Sequence, residues 1–164
     1  MNNLKTKVAL ESLQAGIVSS MESWSLIDDM VPLVDGALDT PLPSVVVAGL
    51  PAGCTIVRVE AMLRFREVEN TFAGANAVDG AACPIQLQDS VPCAFTTCIT
   101  IPDDFLAFGA AGFQSGFTVN GSINMLAIVD GNDTYAFQWD AVQVNSDFIK
   151  LMDVQTGLRI YFRP

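Results

Sequence analysis

Histidine is missing from the 164 residues of this chain. Its absence excludes Ser–His and Cys–His nucleophilic systems, imidazole metal sites and the commonest general base. A pair of carboxylates is the remaining route to acid–base catalysis, and the candidates are Asp28–Asp29 and Asp103–Asp104. Neighbouring residues on a strand point to opposite faces, so neither pair is suited to act together. The sequence therefore predicts no catalytic residue and a protein that is not an enzyme.

Basic charge is scarce, with 8 Lys and Arg against 18 Asp and Glu, for a net charge of −10. Residues 67–149 contain acidic side chains but no Lys or Arg. A nucleic-acid binder needs basic charge to replace the counterions of phosphates, and an anionic membrane surface would repel this chain as well. We expect neither partner. A cationic partner surface or simple solubility accounts for the acidic excess.

Long apolar runs are also lacking. No stretch reaches the 18 apolar residues expected of a transmembrane helix. The short apolar run after Lys7 is interrupted by Glu11 and Gln14, too early for a signal peptide.

Charge of either sign is sparse, since charged residues make up 16% of the chain and hydrophobic ones 51%. Average globular domains carry about 25% charged residues. One explanation is a compact β-domain rich in small residues. The other, which we favour, is a surface covered by neighbouring subunits, where charge is depleted. The composition thus favours a homo-oligomer.

The four cysteines give no metal signature. Cys54, Cys83, Cys93 and Cys98 contain no CxxC pair, and without histidine a zinc site would need all four thiolates or carboxylates in their place. They allow three disulfide pairings, and buried free thiols are the alternative. The run Asp130–Asp133 offers oxygen ligands for calcium, but a hairpin turn explains it and is favoured. We expect no metal ligand and no cofactor-binding residue.

Strand periodicity dominates the chain from residue 45 onward. In Thr55–Glu67, apolar side chains alternate with Arg58, Glu60, Arg64 and Arg66, the pattern of a half-buried strand. Further strands are expected at residues 45–47, 85–88, 96–101, 117–129, 135–140 and 158–163, with loops at 73–82 and 107–116.

Two of these strands leave alternatives open. Asn120–Gly121 is either part of the strand 117–129 or a tight hairpin turn. Tyr135, Phe137 and Trp139 form an aromatic row, which is either a stacking platform for a sugar or base or part of the core. We favour the core.

The N-terminal part differs from the rest. Leu10, Leu13 and Ile17 recur at helical spacing within Leu4–Met21, which predicts a helix or ordered arm. Prolines make residues 25–43 a connector. The expected organisation is an arm and connector at 1–42 and a β-sandwich at 43–164. Deleting residues 1–24 should then weaken assembly while leaving the sandwich folded.

The number of strands and the absence of crossover helices determine the fold class. Parallel strands need such crossovers, so the sheets should be antiparallel. The sequence predicts an all-β, antiparallel, two-sheet β-sandwich that is jelly-roll-like, with a short N-terminal helix or arm.

The segments Leu50–Arg66 and Asp153–Phe162 resemble stretches in small virion structural proteins of tailed phages. Small-residue loops and short strands rich in Gln and Asn lie between them. The resemblance is to capsid decoration (cement) proteins, and it covers roughly residues 43–164. It implies a β-sandwich or β-tulip trimer that clamps the joints between capsid subunits, without enzyme activity or cofactor. It maps no functional residue onto this chain.

The predicted function is therefore a capsid decoration subunit. We expect it on the capsid surface of a virion, as a homo-oligomer, with a trimer favoured, that contacts the major capsid protein or neighbouring virion subunits. The alternative is a secreted or cell-surface β-sandwich that binds carbohydrate through an exposed Trp24 or Trp139.

Overall fold

The computed structural model describes residues 17–33, 39–78, 84–89, 93–101, 106–140, 144–145 and 149–164. All regular elements in these ranges are strands, and they pair antiparallel. The strands are β1 (Ser19–Trp24), β2 (Asp28–Pro32), β3 (Thr40–Val46), β4 (Thr55–Arg64), β5 (Glu67–Asn70), β6 (Asn76–Val78), β7 (Ile85–Gln88), β8 (Thr96–Ile99), β9 (Leu106–Phe108), β10 (Gly112–Ser115), β11 (Thr118–Asn120), β12 (Thr134–Trp139), β13 (Val144–Asn145) and β14 (Ile149–Arg163).

The largest sheet, which we call the main sheet, is built around β14. β4 and β5 pair with successive segments along one edge of β14, and β1 and β2 pair with successive segments along its other edge. β10 extends the sheet from β5, and β11 extends it from β4. The predicted strand Thr55–Glu67 is confirmed as β4, with Val59, Ala61 and Leu63 buried and Arg64 exposed. The predicted strand at 158–163 is confirmed as the end of the longer β14.

The main sheet is interrupted along one line that crosses it, which we call the sheet break. The break comprises Ser25–Ile27, Asp153, Phe65–Arg66 and Gly116–Phe117, and backbone hydrogen bonds join its members to neighbouring strands, as from Arg66 N–H to the Met152 carbonyl at 2.9 Å. Asp153 has a φ of 53°, an uncommon value for a residue other than glycine. The register of β14 with β2, β4 and β5 is nevertheless unchanged across Asp153.

The buried side chains of β14 change parity across Asp153. Before it the buried side chains are Ile149 and Leu151, and after it they fall on even-numbered positions, starting with Val154. Side chains of a regular strand alternate with a period of two, so this change of parity coincides with the irregular conformation of Asp153 and keeps the apolar side inward.

A second sheet, β3-β12-β7-β8, shares one hydrophobic core with the main sheet. β3 contacts β14 directly, and Leu158 and Ile160 of the main sheet belong to the same buried cluster as Leu87 and Phe137. The strands predicted at 45–47, 85–88, 96–101 and 135–140 form this sheet. The predicted all-β antiparallel sandwich is confirmed.

Several loop and strand boundaries differ from the prediction. A third sheet, β13-β6-β9, together with β10, contributes strands inside the predicted loops 73–82 and 107–116. The predicted strand 117–129 is wrong beyond Asn120, where β11 ends. Gly121 explains this end, since its N–H donates to the Ala61 carbonyl at 2.7 Å, and a Cβ there would overlap the carbonyl of Cys98.

The N-terminal prediction needs correction where it can be compared. Residues 19–21, predicted as the end of a helix or arm, belong to β1, which pairs with β14 from Ser19↔Phe162 to Trp24↔Gly157. Residues 1–16 lie outside the described residues. Because β1 is a strand of the main sheet, deleting residues 1–24 would remove part of the sandwich and would not simply detach an arm.

Candidate functional site

Of the two adjacent carboxylate pairs, Asp28–Asp29 lies among the described residues. Asp28 starts β2, where its Oδ1 accepts a hydrogen bond from Met30 N–H at 3.3 Å, and both Asp28 and Asp29 are exposed. Asp103–Asp104 lies outside the described residues. Nowhere in the described part do three Cys, Asp or Glu side chains converge in a group that could hold a metal ion. The described residues likewise contain no helix that is long and apolar enough to cross a membrane.

Three cysteines are described, and all carry free thiols: Cys54, Cys93 and Cys98. Cys98 is fully buried, and this burial raises the pKa of its thiol to about 12. A thiol with so high a pKa forms almost no thiolate at neutral pH and is a poor nucleophile. Cys98 therefore behaves as a small core residue. Cys83 lies outside the described residues.

The run Asp130–Asp133 is used for local structure. Asn132 holds both backbone groups of Leu50, with Oδ1 accepting from its N–H at 3.0 Å and Nδ2 donating to its carbonyl at 3.3 Å. The Tyr135 hydroxyl donates to the Gly131 carbonyl at 3.0 Å. These bonds account for the polar residues of the loop as structural links. The favoured hairpin turn is wrong, because no strand lies between Asn120 and Thr134 and β12 pairs with β3 and β7.

The aromatic row on β12 belongs to the core. Tyr135, Phe137 and Trp139 are each at most 2% exposed. The favoured interpretation is confirmed, and Trp139 is excluded as an exposed stacking platform.

Two of the large exposed apolar side chains, Leu26 and Ile27, lie at the sheet break, and a third, Val46 of β3, lines a concavity with Leu26. Leu26 is 89% exposed, Val46 61% and Ile27 57%. Leu26 and Val46 line a concavity of about 410 Å³ together with Trp24 and Pro43. We call Trp24, Leu26, Ile27, Pro43, Val46 and Arg64 the break surface.

Trp24 is held by its neighbours on the outer side of the main sheet. Its ring lies against Gly157, where a Cβ would approach the indole to 2.7 Å. Its Nε1–H donates to Glu22 Oε2 at 3.2 Å, and the Arg64 guanidinium lies 4.3 Å from its ring centroid. Such a cation–π contact contributes about 0.5–1 kcal/mol at an exposed site. Trp24 is therefore an aromatic member of the break surface whose ring is held in one position.

A groove of about 250 Å³ continues from the break surface across the main sheet. It is lined by residues of four neighbouring strands or their breaks, including Ile27, Gln155, Arg64 and Thr118. The groove also contains Arg66, which is paired with Asp153 and with Glu67, the latter at 2.9 Å. These acidic partners raise the pKa of Arg66.

Charge is distributed unequally between the two main layers. Every Lys and Arg of the described residues lies on β4, on β14 or at Arg66 between β4 and β5. The second sheet carries Asp39 and Asp140 at one end and Asp89 and Asp133 at the other, with no described Lys or Arg on it. One layer is thus mixed in charge, and the other is acidic.

At one end of the second sheet, the carboxylates of Asp39 and Asp140 have no described Lys or Arg of that sheet to pair with. Gln86 donates to Asp140 at 2.6 Å and Gln138 donates to Asp39 at 2.9 Å. Partial burial raises the pKa of Asp140, and so does the neighbouring Asp39 carboxylate. The hydrogen-bond donors that this sheet supplies to the two carboxylates are therefore uncharged amides.

Comparison with known proteins gives no family. No family model matches the chain, and no curated protein does. Among solved structures, an unassembled VP1 pentamer of Washington University polyomavirus aligns with a TM-score of 0.20 and 8% identity, over 89% of this chain and 94% of that chain. VP1 of Trichodysplasia spinulosa-associated polyomavirus, in complex with GM1 oligosaccharide, aligns with a TM-score of 0.21 and 11% identity, over 90% and 93%. Scores this low support no inference about this chain.

The break surface was not predicted from the sequence. Leu26 and Ile27 fall in the segment interpreted as a connector, and Trp24 was considered only as a possible sugar platform. One signal was present, because two adjacent large apolar residues directly precede Asp28–Asp29. Such a pair cannot be wholly buried on one face of a strand.

Proposed function

We propose that this chain is a non-catalytic structural subunit of a virion, of the capsid decoration type. In this role it sits on the capsid surface, associates with copies of itself, with a trimer favoured, and contacts the major capsid protein or neighbouring virion subunits. The observation that carries the proposal is the break surface, an exposed apolar and aromatic patch on a chain that is poor in charge.

The composition of the break surface is that of a protein contact. Interface cores are depleted in charge and enriched in Trp and Arg, which are also the residues most often found as binding hot spots. Exposing the apolar surface of Leu26 and Val46 to water costs about 25 cal/mol of free energy per Å². Burial against another subunit removes that cost.

The alternative function, a carbohydrate-binding β-sandwich, has less support from the site. Trp139 is buried, and the described surface of Trp24 is shared with Gly157 and Arg64. A sugar platform needs an open aromatic face on which a ring can stack. We therefore retain the structural subunit as the proposed function.

The proposal is tested by the substitution Leu26→Asp, with the native mass measured by sedimentation velocity. A carboxylate at the centre of an apolar contact should weaken self-association at least about tenfold, since burying an unpaired charge is costly. Leu26 is so exposed that the substitution should leave the fold intact, which circular dichroism and the melting temperature would show.

Leu126→Asp is the matched control, because Leu126 is also an exposed leucine, 39% exposed, in a turn away from the break surface. It should associate as the unmodified chain does. If both variants associate equally well, the break surface is not a subunit contact and the proposal loses its main support.

A further inference from the structure

Two described basic residues of the main sheet make no ion pair with a described carboxylate: Arg163, at the exposed end of β14, and Arg64, at the groove. Arg58, Arg66, Lys150 and Arg159 each have a carboxylate within 4 Å. Arg64 makes no such ion pair with any described residue. The pKa of Glu22 is lowered chiefly by its hydrogen bond with Arg159, 2.7 Å away, and least by the charge of Arg64.

The guanidinium of Arg64 is nevertheless held in place. Its Nε donates to Gln155 Oε1 at 2.9 Å, its Nη2 donates to the same oxygen, and its plane lies over Trp24. Gln155 is itself fixed by donating to the Ser25 carbonyl at 2.8 Å. The remaining N–H groups of Arg64 are free to bind an acceptor, and a planar guanidinium is well matched to a carboxylate.

The charge distribution of the molecule identifies a source for that carboxylate. The second sheet carries aspartates at both of its ends and has no described Lys or Arg to pair with them. A second copy of the chain therefore presents an acidic surface that complements an arginine without an acidic partner. Complementary charge of this kind steers association and sets its register.

We propose that Arg64, in the groove of about 250 Å³ that crosses the main sheet, binds a carboxylate from the acidic second sheet of a neighbouring copy of this chain. This inference rests on the proposed function, because it specifies how copies of the subunit associate. The contact joins different surfaces of the two copies, so it is heterologous, and repeating it closes a ring when the rotation allows. Trp24 and Leu26, next to the groove, contribute the apolar part of the same contact.

The test compares Arg64→Gln with Arg58→Gln by sedimentation velocity. Both positions lie on the same face of β4 and are exposed, but Arg58 is already paired with Glu60 at 2.9 Å. We expect Arg64→Gln to weaken self-association at least about tenfold and Arg58→Gln to leave it unchanged. Arg64→Lys keeps the charge but loses the planar fork, and we expect an intermediate loss.

Ionic strength gives a second readout that does not depend on folding of a variant. Raising the salt from about 0.05 M to about 0.5 M shortens the screening length and should weaken association of the unmodified chain more than that of Arg64→Gln.

Failure of this inference differs from failure of the proposed function. If the unmodified chain associates, Leu26→Asp disrupts association and Arg64→Gln does not, the carboxylate contact is wrong and the subunit role stands. If the unmodified chain does not self-associate at all, both are contradicted.

Discussion

Individual glycines lie where a residue of another strand leaves no room for a side chain. Gly121 lies against the Cys98 carbonyl of β8 while its N–H bonds to β4, so it joins the two layers at a point with no room for a side chain. Gly157 has a similar role toward the Trp24 ring. At these positions the residue type is dictated by contact with another strand.

We predict that Gly121→Ala destabilises the fold by about 1–3 kcal/mol, since an added methyl group would force the backbones apart. The free energy of unfolding from urea denaturation measures this. Gly131→Ala is the matched control, because nothing lies within 4 Å of a Cβ at that position. Equal stability of the two variants would contradict the close approach at Gly121.

Asp140 supplies a prediction about pH. Its pKa is raised by burial and by Asp39, so the folded state binds the proton more tightly than the unfolded state. Stability contributed by this group therefore falls as the pH rises from the usual aspartate pKa through the raised one. Asp140→Asn should stabilise the protein at neutral pH by a few tenths to about 1 kcal/mol, and the gain should vanish below the usual aspartate pKa.

A double-mutant cycle isolates the repulsion between the two carboxylates. When Asp39 is already replaced by Asn, the gain from Asp140→Asn should shrink, because the neighbouring charge is gone. An unchanged gain in the Asp39→Asn background would show that the two carboxylates do not interact.

Among the strands, β14 carries the main feature of the fold. It spans both sides of the sheet break and pairs with β1, β2, β4 and β5. The left-handed residue Asp153 marks the change in the parity of its buried positions, and the paired segments are interrupted at the same level. The groove and the break surface follow from this interruption, since an unbroken sheet would present a continuous face there.

The conformation of Asp153 gives the prediction for this scale. Asp153→Ala loses the contact with Arg66 and places a non-glycine residue at a φ of 53°, whereas Asp153→Gly loses only the contact. We expect the glycine variant to be more stable than the alanine variant by about 1 kcal/mol, measured by chemical denaturation. An alanine variant as stable as the glycine variant would contradict the left-handed conformation of Asp153.

Period-two alternation predicted β4, β7, β12 and the end of β14, because each has one buried face. It missed the sheet break because the change in the parity of buried positions depends on the left-handed conformation of Asp153, which the residue type alone does not reveal. It also missed β6 and β9, which are three residues long and too short to show a period. Trp24 and Arg64 are brought together through β14, which pairs with both of their strands, so the site could not be predicted from either segment alone.

For the whole molecule, the unequal layers matter more than the net charge of −10. The mixed layer holds the described cations, and the acidic layer holds aspartates without a described cation. Copies of such a molecule can associate through unlike surfaces although their net charges repel, particularly where an apolar patch lies beside the contact. This explains how a strongly acidic chain with few charges overall could serve as a subunit of an assembly.

The most direct test of this account is the native mass of the unmodified chain, measured by light scattering over a range of concentrations, with and without reductant. We predict a defined oligomer, with a trimer favoured. It should persist in reductant, because the described cysteines are free and the contact through the break surface is non-covalent. A chain that remains monomeric at high concentration would contradict the central claim that the break surface joins subunits.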